Sequence, residues 1–278
     1  MQVKITIVVE NSTPMSKGLL GEHGFSALIE KDSHKILFDT GQSGLALMNN
    51  LNILGIDPHT LTGVVLSHGH FDHTGGLLAL LKGLDKVDVY CHPTAFASRF
   101  SVRQNEERQI GLPFSRDTLE ANGARFVETP EFREICPGVY VSGRVDRPAD
   151  WRSGDDKLVV KRGSEFARDP FDDDMSIVIE TESGPALLLG CAHTGLKDIF
   201  AHMAHKGGWS KFNSVIGGLH LVVSDNERDY EEALALFDRF GARIIAPCHC
   251  SGAKAMRFLA SRASDRFFEC RVGSEFTL

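Results

Sequence analysis

Between Ser67 and Gly76 the chain reads SHGHFDHTGG, with three histidines and an aspartate inside six consecutive residues. The apolar run TGVVL leads into it and GGLLALLKGL follows, so the cluster lies at the end of a buried strand, just before a helix. That is a costly place for such side chains. Each neutral imidazole needs hydrogen-bond partners there, and the carboxylate needs solvent or a counter-charge. A cation held among the side chains meets both needs. In an extended His-x-His pair, His68 and His70 fall on one face, and the turn that follows carries Asp72 and His73 to an adjacent position. Zinc takes imidazole at about 2.0–2.1 Å and carboxylate at about 2.0–2.2 Å. Two ions about 3.5–4 Å apart clamp both sides of a displacement reaction. The spacing therefore fits two adjacent ions, one with the His68/His70 pair and one with the Asp72/His73 pair.

Four residues do not complete two sites, and further ligands are expected at other strand ends. His193 in LLLGCAHTG and His249 in APCHCSG each stand where a buried strand turns at a glycine. Both read as ligands. His220 in GGLHL is flanked by leucines; it is either a contact to a ligand or substrate, or a core histidine whose hydrogen bonds are satisfied. His220 and Asp72 are the candidate catalytic residues. Asp39 in FDTG could accept the free N–H of a metal-bound histidine, or form a turn with its own backbone. His23 and His92 read as rim or loop residues, His92 alternatively as a helix cap. His202 and His205 fall on an amphipathic helix and are expected at the surface.

The remaining sequence bounds the class. With 278 residues, 42% hydrophobic and 24% charged, the chain can bury a substantial core. A formal net charge of -7 argues against a general nucleic-acid binder. The six cysteines show no CxxC pairing and read as free thiols in a reducing compartment. The N-terminus has no signal-peptide pattern and no apolar run is long enough for a membrane span. A cytoplasmic protein with no membrane partner is expected.

Strand patterns over Val3 to Glu10, Phe25 to Glu30 and Lys35 to Gly41 give a meander. A helix over Ser43 to Leu54, the strand Thr62 to His68, a helix and the strand Lys86 to His92 continue it as βαβ. The second half repeats the alternation, with strands at SIVIET, PALLLG, SVIGGLHL and ARIIAPCH. Helices fall at GLKDIFAHMAHK, ERDYEEALALFDRFG and GAKAMRFLASRA. This mixed α/β pattern predicts a four-layer αββα sandwich, with residues 1–278 as a single domain. Arg99 to Asp117 and Arg144 to Asp174, polar and weakly patterned, are expected to be loops.

These residues carry a resemblance. SHGHFDHTGG resembles the H-x-H-x-D-H signature of the metallo-β-lactamase superfamily, and ILFDTG that fold's first motif. GEHGFSALIE, LLLGCAHTGL, IGGLHL and PCHCSG together resemble the branch related to the dihydropterin–ribofuranosylaminobenzene 5'-phosphate synthases. The resemblance implies two divalent metal ions, zinc first, with manganese or iron as alternatives. His68, His70 and His193 would hold one, and Asp72, His73 and His249 the other. The superfamily commonly bridges its metals with an aspartate; Cys191 stands near that place here. The implied activity is a metal-dependent hydrolase acting on an ester or phosphoester-like small molecule. The alternative is a transferase joining a dihydropterin pyrophosphate to an arylamine ribotide, with Arg99 and Arg103 holding phosphate.

Overall fold

β-Branched and aromatic residues alternate along most strands, and the alternation sorts them into two sheets. The computed structural model describes residues 2–15, 17–104 and 106–278; Met1, Ser16 and Asn105, the last within the 99–117 stretch, lie outside it. The first sheet has seven strands, in the order Glu275–Thr277, Val3–Val9, Ser26–Lys31, His34–Phe38, Gly63–Val65, Val87–Cys91 and Ala124–Glu128. The second has six: Ile244–Cys248, Ser214–Gly218, Ala186–Leu189, Ser176–Ile179, Val139–Val141 and Arg133–Cys136.

The two sheets face each other across one core. Ile5, Ile7, Ala27, Ile29, Phe38 and Val65 from the first pack with Val139, Ile177, Leu188, Ile216 and Ala246 from the second. The neighbours in sequence point the other way, as the two-residue period requires. Leu28, Leu37 and Val64 meet Leu47, Leu51, Leu77 and Leu80 on one outer face. Val178, Leu187 and Val215 meet Phe200, Phe237 and Leu259 on the other. Helices thus cover both outer faces, giving the αββα layering that the sequence predicts.

The two polar stretches expected as loops are not loops. Arg99–Arg103 and Glu106–Gln109 form a hairpin, Leu158–Arg162 and Glu165–Arg168 form another, and the two join in a four-stranded sheet through Leu158 opposite Ser101. Exposure hides the pattern: all four residues of Glu106–Gln109 are solvent-facing, so no apolar alternation marks the strand.

In both large sheets the parallel strands end on the same edge. Gly63–Val65 runs parallel to His34–Phe38, and Ala186–Leu189, Ser214–Gly218 and Ile244–Cys248 run parallel to one another. The residues just past these ends are Asp39, the 67–73 cluster, Cys191, His193, His220 and His249. Functional groups of α/β sheets collect at such carboxyl ends.

Candidate metal centre

The cluster that opens the sequence is buried: His68 and His73 are fully enclosed, and His70 and Asp72 are each 6% exposed. Gly69 makes the tight packing feasible. A Cβ there would stand 1.8 Å from the Ala95 carbonyl oxygen, so no other residue fits between His68 and His70. Backbone strain gathers at the same place. Asp39, Phe171, Ala192, His220 and His249 all adopt positive φ, between 47° and 60°, a conformation non-glycine residues take at a cost and usually at functional positions.

The side chains fall into two groups. His68, His70 and His193 bring one nitrogen each to a common point, with His68 Nε2 2.9 Å from His70 Nδ1. Beside them, His73 Nε2 lies 3.2 Å from His249 Nε2, and Asp72 Oδ2 lies 3.3 Å from His249 Nε2 and 3.6 Å from His73 Nε2. Ligand atoms about 2.0–2.2 Å from a tetrahedral zinc stand about 3.3–3.6 Å apart. The second triad is therefore spaced as three corners of such a site. Cys191 Sγ sits 3.2 Å from His73 Nε2 and also groups with His68, so it lies between the two sets.

The far nitrogens are fixed by residues behind the cluster. Asp39 Oδ2 accepts from His73 Nδ1 at 2.7 Å, Ser67 Oγ contacts His68 Nδ1 at 2.9 Å, and Asn11 Oδ1 contacts His249 Nδ1 at 3.1 Å. Asp39 in turn accepts from the Ser67 N–H and hydroxyl, both at 2.7 Å. The Glu10 carboxylate accepts from the His249 N–H at 2.9 Å. Orientation by outer carboxylates and amides is a regular feature of metal-binding histidines.

The protonation states of the first triad suit ligation. Burial, reinforced by neighbouring histidines, holds His68 and His193 well below the usual imidazole range, and burial does the same for His70. These three are neutral donors. Burial also works against charge on His73, but Asp39 and Asp72 outweigh it and lift the ring to about 9. Asp72 stays ionised: burial opposes it, and His73, His23 and His249 prevail. Cys191 is pushed up by burial and then by Cys250. Cys250 is held down despite burial, by its neighbours Cys191, His220 and His249. Buried nitrogens of His70, His193 and His220 make no hydrogen bond to the protein. In a buried site that is costly unless a cation or ligand takes the lone pair, so the residues present fit a metal.

Several residues occupy places the sequence did not indicate. Arg99 does not reach the pocket: it is 1% exposed and paired with Asp169 at 2.7 Å and Asp173 at 2.5 Å. It ties the small sheet to the segment DPFDDD instead. That segment, residues 169–174, packs into the site. Phe171 stacks on the His193 ring at 4.2 Å, Asp173 accepts from the Gly69 N–H at 2.8 Å, and Asp174 accepts from the Thr194 N–H at 2.6 Å. Its carboxylates thus support the loops that carry His70 and His193. His202, expected at the surface, is 3% exposed and bonds to the Ser142 carbonyl and the Asp146 N–H. His92 caps a short helix through the Thr94 N–H. His23 is 57% exposed in its side chain and reaches Asp72 at 3.2 Å from the rim. Cys250, Asn11 and Ser67 complete the site without any spacing signal that marks them.

A cavity of about 410 Å³ opens onto the centre, lined by His70, Asp72, Cys191, His193, His220 and His249 among others. Arg103 and Arg108, on the hairpin above, also line it.

The model of the metallo-β-lactamase superfamily matches residues 20–249, and the chain belongs to that superfamily of enzymes, whose members generally bind divalent metal ions. Within it, the chain is 28% identical over 98% of its length, and 95% of the relative's, to the 7,8-dihydropterin-6-methyl-4-(β-D-ribofuranosyl)-aminobenzene-5'-phosphate synthase of Methanocaldococcus jannaschii. An uncharacterised protein of the same organism is 31% identical over 92% of this chain and 93% of its own. The solved structure of Tm1679, a metal-dependent hydrolase of the β-lactamase superfamily, matches with a TM-score of 0.84 at 28% identity, covering 99% of both chains. Zinc-bound PqqB from Methylobacterium extorquens shares the fold, with a TM-score of 0.60 at 12% identity over 99% of this chain and 100% of its own. Among the described residues no helix is long and apolar enough to cross a membrane.

Proposed function

We propose that this chain, acting as one domain, is a two-metal hydrolase of a small anionic ester or phosphoester. The observation that carries the reading is the tetrahedral spacing of Asp72, His73 and His249 beside the His68, His70 and His193 set. His68, His70 and His193 would hold one divalent ion and Asp72, His73 and His249 the other, with Cys191 between them. Zinc fits the nitrogen-rich donors first, with manganese or iron as alternatives. Bound there, the ions would supply Lewis acidity, lowering the pKa of water and polarising a carbonyl or phosphoryl oxygen.

The chain's own groups do the rest. Asp39, Ser67 and Asn11 hold the imidazoles in the tautomers that turn a lone pair inward. Asp72 accepts a hydrogen bond from the attacking water and orients it. His220, its ring 4.1 Å from that of His193, would pass a proton to the leaving group. Arg103 and Arg108 form no direct ion pair among the described residues and bring positive charge over the cavity, which Glu106 and Asp155 also line. The arginines support an anionic substrate.

Similarity to the synthase over 98% of the chain supports a second reading, a transferase that uses an arylamine in place of water. The zinc-loaded protein should be offered bis(4-nitrophenyl) phosphate, a lactone, a cephalosporin, and a dihydropterin pyrophosphate with and without an arylamine ribotide. Chelator-sensitive phosphodiester cleavage in water is expected. Pyrophosphate release only when the arylamine is present selects the transferase. Fast lactone opening, unaffected by phosphate compounds, contradicts the phosphoester reading.

A further inference from the structure

Behind the metal pocket lies a second and larger cavity, of about 660 Å³ against about 410 Å³. The two share His193, His220 and Val223 as lining, so a metal-ligand candidate and the proton-transfer candidate form the wall between them. The inner lining is apolar and buried: Ala192 is 3% exposed, and Leu219 and Ala233 are each 4%. Trp151 forms one side. Its indole Nε1–H donates to the Thr194 carbonyl at 2.9 Å and the Arg147 guanidinium lies 4.2 Å from its ring centroid, so its position is fixed.

The charges around this groove do not cancel. Its two acidic residues are engaged: Asp229 accepts from the Ser224 hydroxyl and Glu232 pairs with Arg228 at 3.0 Å. Lys197, Arg152 and Arg239, all exposed at the rim, form no direct ion pair among the described residues, though Asp198 lies within electrostatic reach of Lys197. The helix Leu196–Gly207 also begins here, and its N-cap Gly195 offers no side-chain cap, which leaves the first N–H groups open to an anion. Asp198, in that first turn, is outside the groove's lining. The wall shared with the metal pocket also carries an unpartnered buried side chain. His193 is 6% exposed and neither ring nitrogen has a protein partner. A metal takes one nitrogen, and the other still needs a partner.

We propose that this groove is a second small-molecule site that takes an aromatic anion, its ring inward against Trp151 and Leu219 and its anionic group outward at Lys197 and Arg239. The occupant's inner end meets the same two histidines that close the metal pocket, which places it as a second reactant or effector for that pocket. The inference rests on the proposed function only for that consequence. Binding itself is testable without metal, so the two readings fail separately.

The sequence has two tryptophans, and Trp209 packs on Phe132 and Tyr140. In metal-free protein carrying Trp209→Phe, Trp151 is the sole reporter. Titration with 4-nitrobenzoate should quench it saturably, while neutral 4-nitrobenzamide and ring-free acetate act at least tenfold more weakly. Lys197→Glu combined with Arg239→Glu, both surface changes, should weaken 4-nitrobenzoate at least tenfold. Arg103→Glu combined with Arg108→Glu should leave it unchanged. In the native background, Trp151→Phe should remove the response, which keeps the test independent of the Trp209 variant. Quenching that does not saturate, that is equal for the amide, that survives the Lys197/Arg239 change or that is lost with the Arg103/Arg108 change overturns the proposal.

Discussion

Asp39→Asn separates positioning from folding at the centre. Asn tolerates the left-handed φ of 60° that Asp39 adopts, so the backbone is not the obstacle. In the native chain one carboxylate oxygen accepts from the Ser67 N–H, and the other from the Ser67 hydroxyl and His73 Nδ1. An amide has one oxygen. With that oxygen on the Ser67 N–H, the amide nitrogen becomes a donor to His73 Nδ1, and the His73 proton moves to Nε2. That is the nitrogen facing Asp72 and His249. With the amide flipped, two donors collide at Ser67. Either way the second triad loses a lone pair or a buried hydrogen bond. Loss of such an outer partner costs about 10–100-fold in metal affinity, or about 1.4–2.7 kcal/mol. Stability should fall by only about 1 kcal/mol, the difference between a charged and a neutral hydrogen bond. Asp39→Ala would instead strand three buried donors, at about 1–3 kcal/mol each. The assay is chelator-buffered zinc titration at pH 9. The pH matters because His73, lifted to about 9, competes with zinc for the same nitrogen at lower pH, and the variant relieves that competition. Wild-type affinity should therefore rise by about tenfold per pH unit from 7 toward 9. Equal affinity of variant and wild type at pH 9, with the fold intact, refutes the reasoning.

Other outcomes follow from the same geometry. His68→Ala with His70→Ala should remove most bound metal and all turnover, checked by plasma mass spectrometry alongside circular dichroism. Cys191→Asp should raise occupancy of the second metal position by supplying a hard anionic donor; in cobalt-loaded protein, Cys191→Ser should lose thiolate-to-metal absorption near the ultraviolet. Arg99→Met leaves Asp169 and Asp173 buried without their cation and should cost about 3–5 kcal/mol in denaturant unfolding. Metal-free protein should lose stability as pH rises from 7 through 9. His73 has its folded value raised above the ordinary 6.5, so its contribution is complete below 6.5 and gone above about 9; His73→Gln should flatten that part of the profile.

What could be read from the sequence was local or periodic. The HGHFDH spacing, the strand ends at His193 and His249, and the alternation of Ile5, Ile7, Ile177 and Ile179 all follow from one segment at a time, and they suffice for the four layers. Asp39 was legible as an orienting residue because its motif ends a strand at a glycine. The rest depends on distant pairing. Arg99 meets Asp169 and Asp173 across 70 and 74 residues, and Asn11 meets His249 across 238. No local pattern encodes those contacts. The exposed hairpin strands lack apolar alternation, so their sheet reads as loop. His202 sits on an amphipathic helix, where residue type alone assigns a histidine to the polar face. Its burial depends on the Ser142 carbonyl, which arrives from another strand end.

Anomalous diffraction at the zinc edge, on crystals of zinc-loaded protein, tests the two-metal centre most directly. Two peaks per chain are predicted, one bounded by His68, His70 and His193 and the other by Asp72, His73 and His249. A single peak, or metal held by Cys191 and Cys250 with those histidines unligated, would contradict it.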